Sequence, residues 1–491
     1  MTEHETERAH ASRTLLILGF AALAFSLAQT TLVPALPDLM RGLHTDQSGV
    51  TWTLTAYLVS ASVFTPMLGR LGDIFGKRRL LVVSLLAFAL GSVIAAVSGD
   101  LWLVVGGRVV QGIGGGIFPL CFAIIRDEFP RERIGRAVGL MSAIAGIGGG
   151  LGLVLGGLLV DHVSYHWIFW VGALMGMAAA IAAQLFVPES PVRTPSRVDI
   201  PGAVLLAVGL TLPLLAISEA SRVGWGSART VGLIAGGLVV LTVWVVVERR
   251  TTQPLANIRT LTSTPVLITN LATLLVGFGM FGSFILIPQL AQAPTSTGYG
   301  FGTDATHAGL LLLPGSLSML ILGPLSGMVG SRFGNKVPLA IGGLVTGLGL
   351  ALLAVAHGTQ LQVLLFCIVM SAGIGLAFAA MPNLVLEAVP AAQTGEATGF
   401  NALVRSVGSS LGSQVSATLL ASSAVGSRAV GRLPRDSGFT HAFAVSAVVA
   451  VFAGLVALLI PRSGGRQHQP ALDAVGAAGP LAEPAYTDEK F

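Results

Sequence analysis

The sequence predicts an all-α polytopic membrane protein of about fourteen transmembrane helices, two six-helix bundles with two extra central helices. Three observations carry this prediction. Apolar residues make up 53% of the chain and charged residues 10%, with a mean hydropathy of +0.80. A soluble protein needs roughly 25% charged residues to wet its surface, so most of this chain has another solvent. Apolar runs of about 20 residues, enough to cross a bilayer core of ~30 Å, recur along its whole length. Finally, the chain repeats itself. The stretch Gly69-Arg70-Leu71-Gly72-Asp73-Ile74-Phe75-Gly76-Lys77-Arg78 returns, degraded, 258 residues later as Gly327-Met328-Val329-Gly330-Ser331-Arg332-Phe333-Gly334-Asn335-Lys336.

The spans fall at 14–36, 49–68, 80–98, 102–125, 137–160 and 166–187, then 201–220 and 230–248. Six more follow at 264–290, 306–328, 338–356, 361–386, 394–422 and 440–460. Segment 1–13 lacks a clean cleavage signature, so the first apolar run is expected to be retained. Residues 14–187 form the first six-helix unit, and 188–200, with three prolines, an exposed connection. Residues 201–262 hold the extra pair and its following loop. The second unit covers 263–460, and the Ala/Pro/Gly-rich tail 461–491 reads as disordered. A second alignment supports the repeat: Gly135, Gly139, Gly148, Leu151 and Gly152 match Gly395, Gly399, Gly408, Leu411 and Gly412 at a constant offset of 260.

Charge sets the orientation. Of 28 Lys and Arg, all but eight fall in the segments that are cytoplasmic when both termini are inside. The exceptions are Arg41, Arg222, Arg229, Arg428, Arg432 and Arg435 in outside loops, and Arg108 and Arg405 within spans. That asymmetry predicts a multi-pass protein of the cell membrane with cytoplasmic termini. The net charge of +5 therefore reflects topology and not a nucleic-acid surface. Cys121 and Cys367 lie deep in apolar runs and offer neither a disulfide framework nor a metal site. No phosphate loop, metal spacing or catalytic constellation occurs, so no enzyme activity, cofactor or metal is expected.

The residues that stand out are polar ones in apolar surroundings. In the hinge, Gly69, Gly72 and Gly76 permit close helix approach and a tight turn, while Lys77, Arg78 and Arg79 anchor the loop at an anionic membrane surface. Asp73 is either a solvated loop acid or a latch, pairing with a base such as Arg126 or capping the N-terminus of a nearby helix. The second copy has Ser331 there, which makes any latch one-sided. Arg108 lies a third of the way into its span, where an arginine costs about 2.5–3.5 kcal/mol. It either snorkels or faces a polar cavity or partner, with Gln111 on the same face. Arg405 lies deeper, with Asn401 and Glu396 as candidate partners. It serves as a tie between helices or contacts substrate. Gly148, Gly152, Gly156 and Gly157 sit in a glycine-dense run inside a span, where they serve helix contact and bending. Gln29, Thr30, Trp52, Tyr57, Gln111, Asn270, Phe281, Phe284, Asn383, Asn401 and Gln414 together outline a midplane cavity.

The hinge Gly69–Arg79, the Arg108-x-x-Gln111-Gly112 element and the six-two-six plan resemble the major facilitator superfamily, and within it the fourteen-span drug:proton antiporters. The resemblance runs from about residue 14 to 460. It implies two six-helix bundles with alternating access, export of drugs or antibiotics in exchange for protons, and a monomer whose partners are a small amphipathic substrate, protons and the bilayer. It further implies that Asp73 holds the inside closed and that Arg108 takes part in proton coupling or substrate response. The chain departs from the pattern twice. Leu153 replaces the proline expected in the fifth span, and Ala28 stands where a first-span aspartate is expected. With no acid near the membrane centre, coupling falls to Asp38, Asp73, Asp127, Glu128, Glu387 or Glu396, and neutral or weakly charged substrates are favoured. Transport of one specific metabolite, or a transporter-like sensor or scaffold, remain the alternative readings.

Overall fold

The computed structural model describes residues 3–45, 47–190, 199–252, 254, 256–423 and 434–461. The expected connection around Arg193 and Arg197, the loop residues Arg428 and Arg432, the tail beyond 461 and the side chain of Phe281 lie outside the described residues.

Fourteen long helices follow one another, and no strand occurs among the described residues. They are α1 (Glu3–Thr30), α2 (Gln47–Phe75), α3 (Lys77–Val97), α4 (Leu101–Glu128), α5 (Arg131–His162), α6 (His166–Phe186) and α7 (Ile200–Val223). Then come α8 (Ala228–Arg250), α9 (Thr264–Gln292), α10 (Ala305–Phe333), α11 (Lys336–Val355), α12 (Gln360–Ala388), α13 (Thr394–Ser423) and α14 (Asp436–Leu458). Twelve have the length and apolar composition of a membrane span. The other two, α2 and α13, are long enough at 29 and 30 residues but too polar: α13 alone carries Glu396, Arg405 and seven serines. A helix tolerates such residues in a membrane only by turning them toward protein or a cavity, and these two helices do both.

Local chemistry fixes where the helices begin and end. Asp100, Ser227, Asp304 and Thr359 each accept a bond from a backbone N–H of the first turn they precede, which satisfies donors that have no partner within the helix. The two copies of the hinge share one conformation. Gly76 between α2 and α3 has φ 110°, and Gly334 between α10 and α11 has φ 88°. Both lie in the region that only glycine enters without strain.

Glycine also sets the packing. On α5, a Cβ at Gly148, Gly152 or Gly156 would strike Ser26, Thr30 or the Thr31 carbonyl around the end of α1, and one at Gly157 would strike Thr306 of α10. Gly135 and Gly139 face Gly327 and Gly323 of α10, backbone against backbone. The equivalents on α13 do the same work: Gly408 and Gly412 abut the Leu274 and Phe278 carbonyls of α9, while Gly395 and Gly399 abut Gly69 and Pro66 of α2. Removing the Cβ lets two backbones approach and gain dispersion contacts that lipid cannot supply.

The α7–α8 hairpin lies over the seam between α2 and α13. Leu206, Leu210 and Trp244 join Val63 and Leu403 in one apolar cluster. Trp244 stacks over Phe400 at 6.4 Å, and Trp225 Nε1 donates to Thr418 Oγ1 at 3.0 Å.

Candidate transport cavity and its closed end

A cavity of about 220 Å³ lies between helices of both repeats, with α1, α2, α4 and α5 on one side and α9, α12 and α13 on the other. Phe25, Tyr57 and Phe118 form an aromatic wall, with ring centroids 5.9–6.0 Å apart around Phe25. Phe284 and Phe378 face them from the second repeat. Hydroxyls and one amide, from Ser26, Gln29, Thr30, Ser62 and Thr65, add polar points on the first side. Among the described lining residues Arg405 carries the one charge, and no carboxylate is present.

Of the residues the sequence singled out for a cavity, Gln29, Thr30, Tyr57 and Phe284 line it, and so does Arg405, read as a tie between helices or a substrate contact. Several others bind neighbouring helices. Asn401 Nδ2 donates to Asn270 Oδ1 at 2.8 Å and to Thr273 Oγ1 at 2.9 Å, tying α13 to α9. Asn383 donates to the Ala379 carbonyl of its own helix. The serine face of α13 (Ser406, Ser409, Ser410 and Ser413) was missed. The signal was present as serines three or four apart in an otherwise apolar span.

Arg108 does not snorkel. It is 1% exposed and held behind the aromatic wall, 4.1 Å over the Tyr57 ring. Its Nε donates to the Thr53 carbonyl at 3.0 Å, and its Nη1 to the Ala28 carbonyl at 3.4 Å and Gln111 Oε1 at 2.5 Å. Gln111 is oriented in turn by donating to Ser92 Oγ at 2.7 Å. Ala28, where an acid was expected, therefore serves Arg108 through its backbone oxygen. Nη2 of Arg108 and the Tyr57 hydroxyl find no hydrogen-bond partner among the described residues.

Arg405 is built differently. Its guanidinium lies 4.3 Å over the Phe378 ring. Neither candidate partner holds it: Asn401 is engaged with α9, and Glu396 accepts from the Asn257 N–H at 2.5 Å with Arg70 3.8 Å away. A cation–π contact returns about 0.5–2 kcal/mol against about 2.5–3.5 kcal/mol for an arginine at this depth. The ring alone does not offset the cost, so the cavity side of Arg405 is where compensation must come from.

At one end the cavity is closed by α2 meeting α13. Gly69 allows the contact, since a Cβ there would strike the Gly395 carbonyl. Asp73, 1% exposed, then reaches the first turn of α13 and accepts from the N–H groups of Gly395 at 3.4 Å and Glu396 at 3.2 Å. Asp73 thus meets a helix terminus, and the base beside it is Lys77 and not Arg126. Arg126 reinforces the same junction, donating to Thr394 Oγ1 at 2.7 Å and the Val389 carbonyl at 2.8 Å. Behind Asp73, buried Lys77 lies 3.9 Å from it and 2.5 Å from Asp127. Gly72 leaves room for Leu120, and Glu189 accepts from the Arg78 N–H at 3.1 Å, fixing the turn after Gly76. Among the described residues no group of His, Cys, Asp or Glu could hold a metal ion.

Comparison with known proteins agrees with this architecture. The family model described as Major Facilitator Superfamily matches residues 18–413 and 270–482. The tetracenomycin C resistance and export protein of Streptomyces glaucescens is 29% identical over 416 residues, covering 83% of this chain and 76% of that protein. The multidrug resistance protein Stp of Mycobacterium tuberculosis is 28% identical over 411 residues, covering 83% and 75%. Among solved structures, the human organic anion transporter MFSD10 superposes with a TM-score of 0.64 over 91% of this chain and 99% of that one. At 16% identity it carries the fold and nothing about cargo.

Proposed function

Since the chain belongs to the Major Facilitator Superfamily, a class of multi-pass membrane transporters of small molecules and not of enzymes, we propose that it exports hydrophobic or amphipathic drugs or antibiotics across the cell membrane. The observation that carries this reading is the aromatic, hydroxyl-lined cavity between the two repeats, shut at one end by the α2–α13 junction. Such a cavity suits flat apolar molecules bearing a few polar groups. The export function in the name of the Streptomyces relative, and the resistance in the names of both bacterial relatives, support the same direction of transport.

The working cycle is alternating access. With both termini cytoplasmic, the Asp73 end faces the cytoplasm. The closed junction is then the state in which cargo has left the inside, and release of the Asp73 cap lets the six-helix units part there. A carboxylate at a helix N-terminus contributes about 0.3–2 kcal/mol. That shifts a two-state equilibrium by up to roughly thirtyfold without locking it. Protons are the counter-substrate. Because no lining residue is an acid, the exchange falls to carboxylates at the junction, Asp73 and Glu396, and Arg108 transmits cavity occupancy through Tyr57 to α1 and α2. The protein works as a monomer in this scheme, each chain holding a complete cavity.

The test is reconstitution into liposomes with an imposed pH gradient and a fluorescent amphiphile, comparing wild type with Arg108→Ala. Gradient-driven accumulation that the variant loses supports proton exchange with Arg108 in its mechanism. Transport indifferent to the gradient removes the proton from the scheme.

A further inference from the structure

We propose that the preferred cargo carries one acidic group on an aromatic skeleton, an oxyanion of the carboxylate, phenolate or enolate kind, and that Arg405 receives it. The inference rests on the export reading for its cavity and goes beyond it in naming the charge of the ligand.

The two arginines within the spans make the argument by contrast. Arg108 is bonded through Nε and Nη1 to two carbonyls and a glutamine, as a cation built into the wall. Arg405 has, among the described residues, no ion pair and no side-chain hydrogen bond. It has one aromatic contact, Phe378, and it lines the cavity. No carboxylate shares that lining. A guanidinium left in a low-dielectric chamber without a counter-charge favours an anion and disfavours a cation, and its planar donor set fits an oxyanion.

The neighbouring hydroxyls sharpen the class. Ser406 Oγ donates to the Ala402 carbonyl at 3.1 Å and Ser409 Oγ to the Arg405 carbonyl at 2.8 Å. Their protons are committed to the helix, so the cavity meets their oxygens as acceptors. An acid bearing hydroxyl donors beside its anionic group satisfies Arg405 and this serine face together. Facing them, Phe25 and Phe118 offer flat apolar surface for the ring system, and Phe284 adds to it from their own side.

The experiment uses three matched probes: 1-pyrenebutyrate, its methyl ester, and the corresponding pyrenebutyl-trimethylammonium. Equilibrium binding to the purified full chain in nanodiscs is measured for wild type, Arg405→Gln and Arg405→Lys. Wild type is expected to bind the acid at least tenfold tighter than the ester and the cation weakest. Arg405→Gln closes the gap between acid and ester, and Arg405→Lys keeps part of it. An acid bound no tighter than its ester, a cation bound tightest, a gap that survives Arg405→Gln, or binding of none of the probes overturns the proposal.

Efflux of the same probes from cells separates this claim from the export reading. Arg405-dependent binding of an acid that cells do not expel leaves the anion site standing and removes export. Expulsion of ester and cation as fast as acid, indifferent to Arg405→Gln, leaves export standing and removes the anion site.

Discussion

The two junctions between the repeats, α2 against α13 and α5 against α10, are made from equivalent residues and end up doing different things. Gly69 meets Gly395 in one, and Gly327 meets Gly135 in the other. Along α5 the contact with α10 continues through Gly139 against Gly323, Gly146 against Met319 and Gly150 against Ser316. It extends to Gly157 against Thr306, where Thr306 also donates to Asp161. Along α2 it stops after Pro66 meets Gly399, and beyond that point Leu58 and Leu54 of α2 and Ser409 and Ser413 of α13 line the cavity. The first copy of the hinge carries Asp73, which caps α13. The second carries Ser331, exposed and bonded to Met328 of its own helix. Internal repetition thus duplicated the backbone geometry, and one acid, Asp73, gives the α2–α13 junction a charged cap that the α5–α10 junction lacks.

That contrast can be broken at several points, with effects of decreasing size. Gly139→Leu places a side chain into the Gly323 backbone of the continuous junction. It is expected to abolish recovery of monodisperse protein, read by size-exclusion chromatography; full recovery would mean that this contact is not structural. Asp73→Asn removes the charge that caps α13 but leaves the glycine contact intact. Transport should fall at least tenfold with membrane expression and thermal stability near wild type, measured as probe flux per mole of reconstituted protein. Arg126→Ala deletes bonds to Thr394 and Val389 at the same junction and leaves the cap in place, so a three- to fivefold loss of flux is expected. Ser331→Asp adds an acid at an exposed site, where a carboxylate stays solvated and contributes little. Flux should change by less than twofold, and that variant should not rescue Asp73→Asn. Rescue would show that the second copy can gate as well.

Much of the fold was legible because it rests on signals with a period or a fixed offset. The apolar runs gave fourteen helices, including α2 and α13, which are too polar to qualify as spans by composition. The two glycine sets, related by 260 residues, marked α5 and α13 as equivalent helices, and in the structure both sets sit at helix contacts. The site was less legible. That Asp73 would cap a helix end depended on which element arrived from 322 residues away, and no local pattern encodes that. Asn270, Asn383 and Asn401 stood out as polar and turned out to be tied to neighbouring groups. Ser406, Ser409 and Ser413 did not stand out, because a serine that bonds its own helix costs little in an apolar run.

In the proposed cycle Asp73 holds the α2–α13 junction closed, and its release lets the two units rock apart as bodies. Spin-label distances in lipid test it most directly, with one pair at Phe75 and Ala391 and another at Glu132 and Phe333, all exposed positions. Cys121 and Cys367 are buried and need not interfere with labelling. Asp73→Asn is predicted to shift both pairs together toward longer distances, as rocking of whole bundles requires. Unchanged distributions, or lengthening confined to the α2–α13 pair, would contradict the claim.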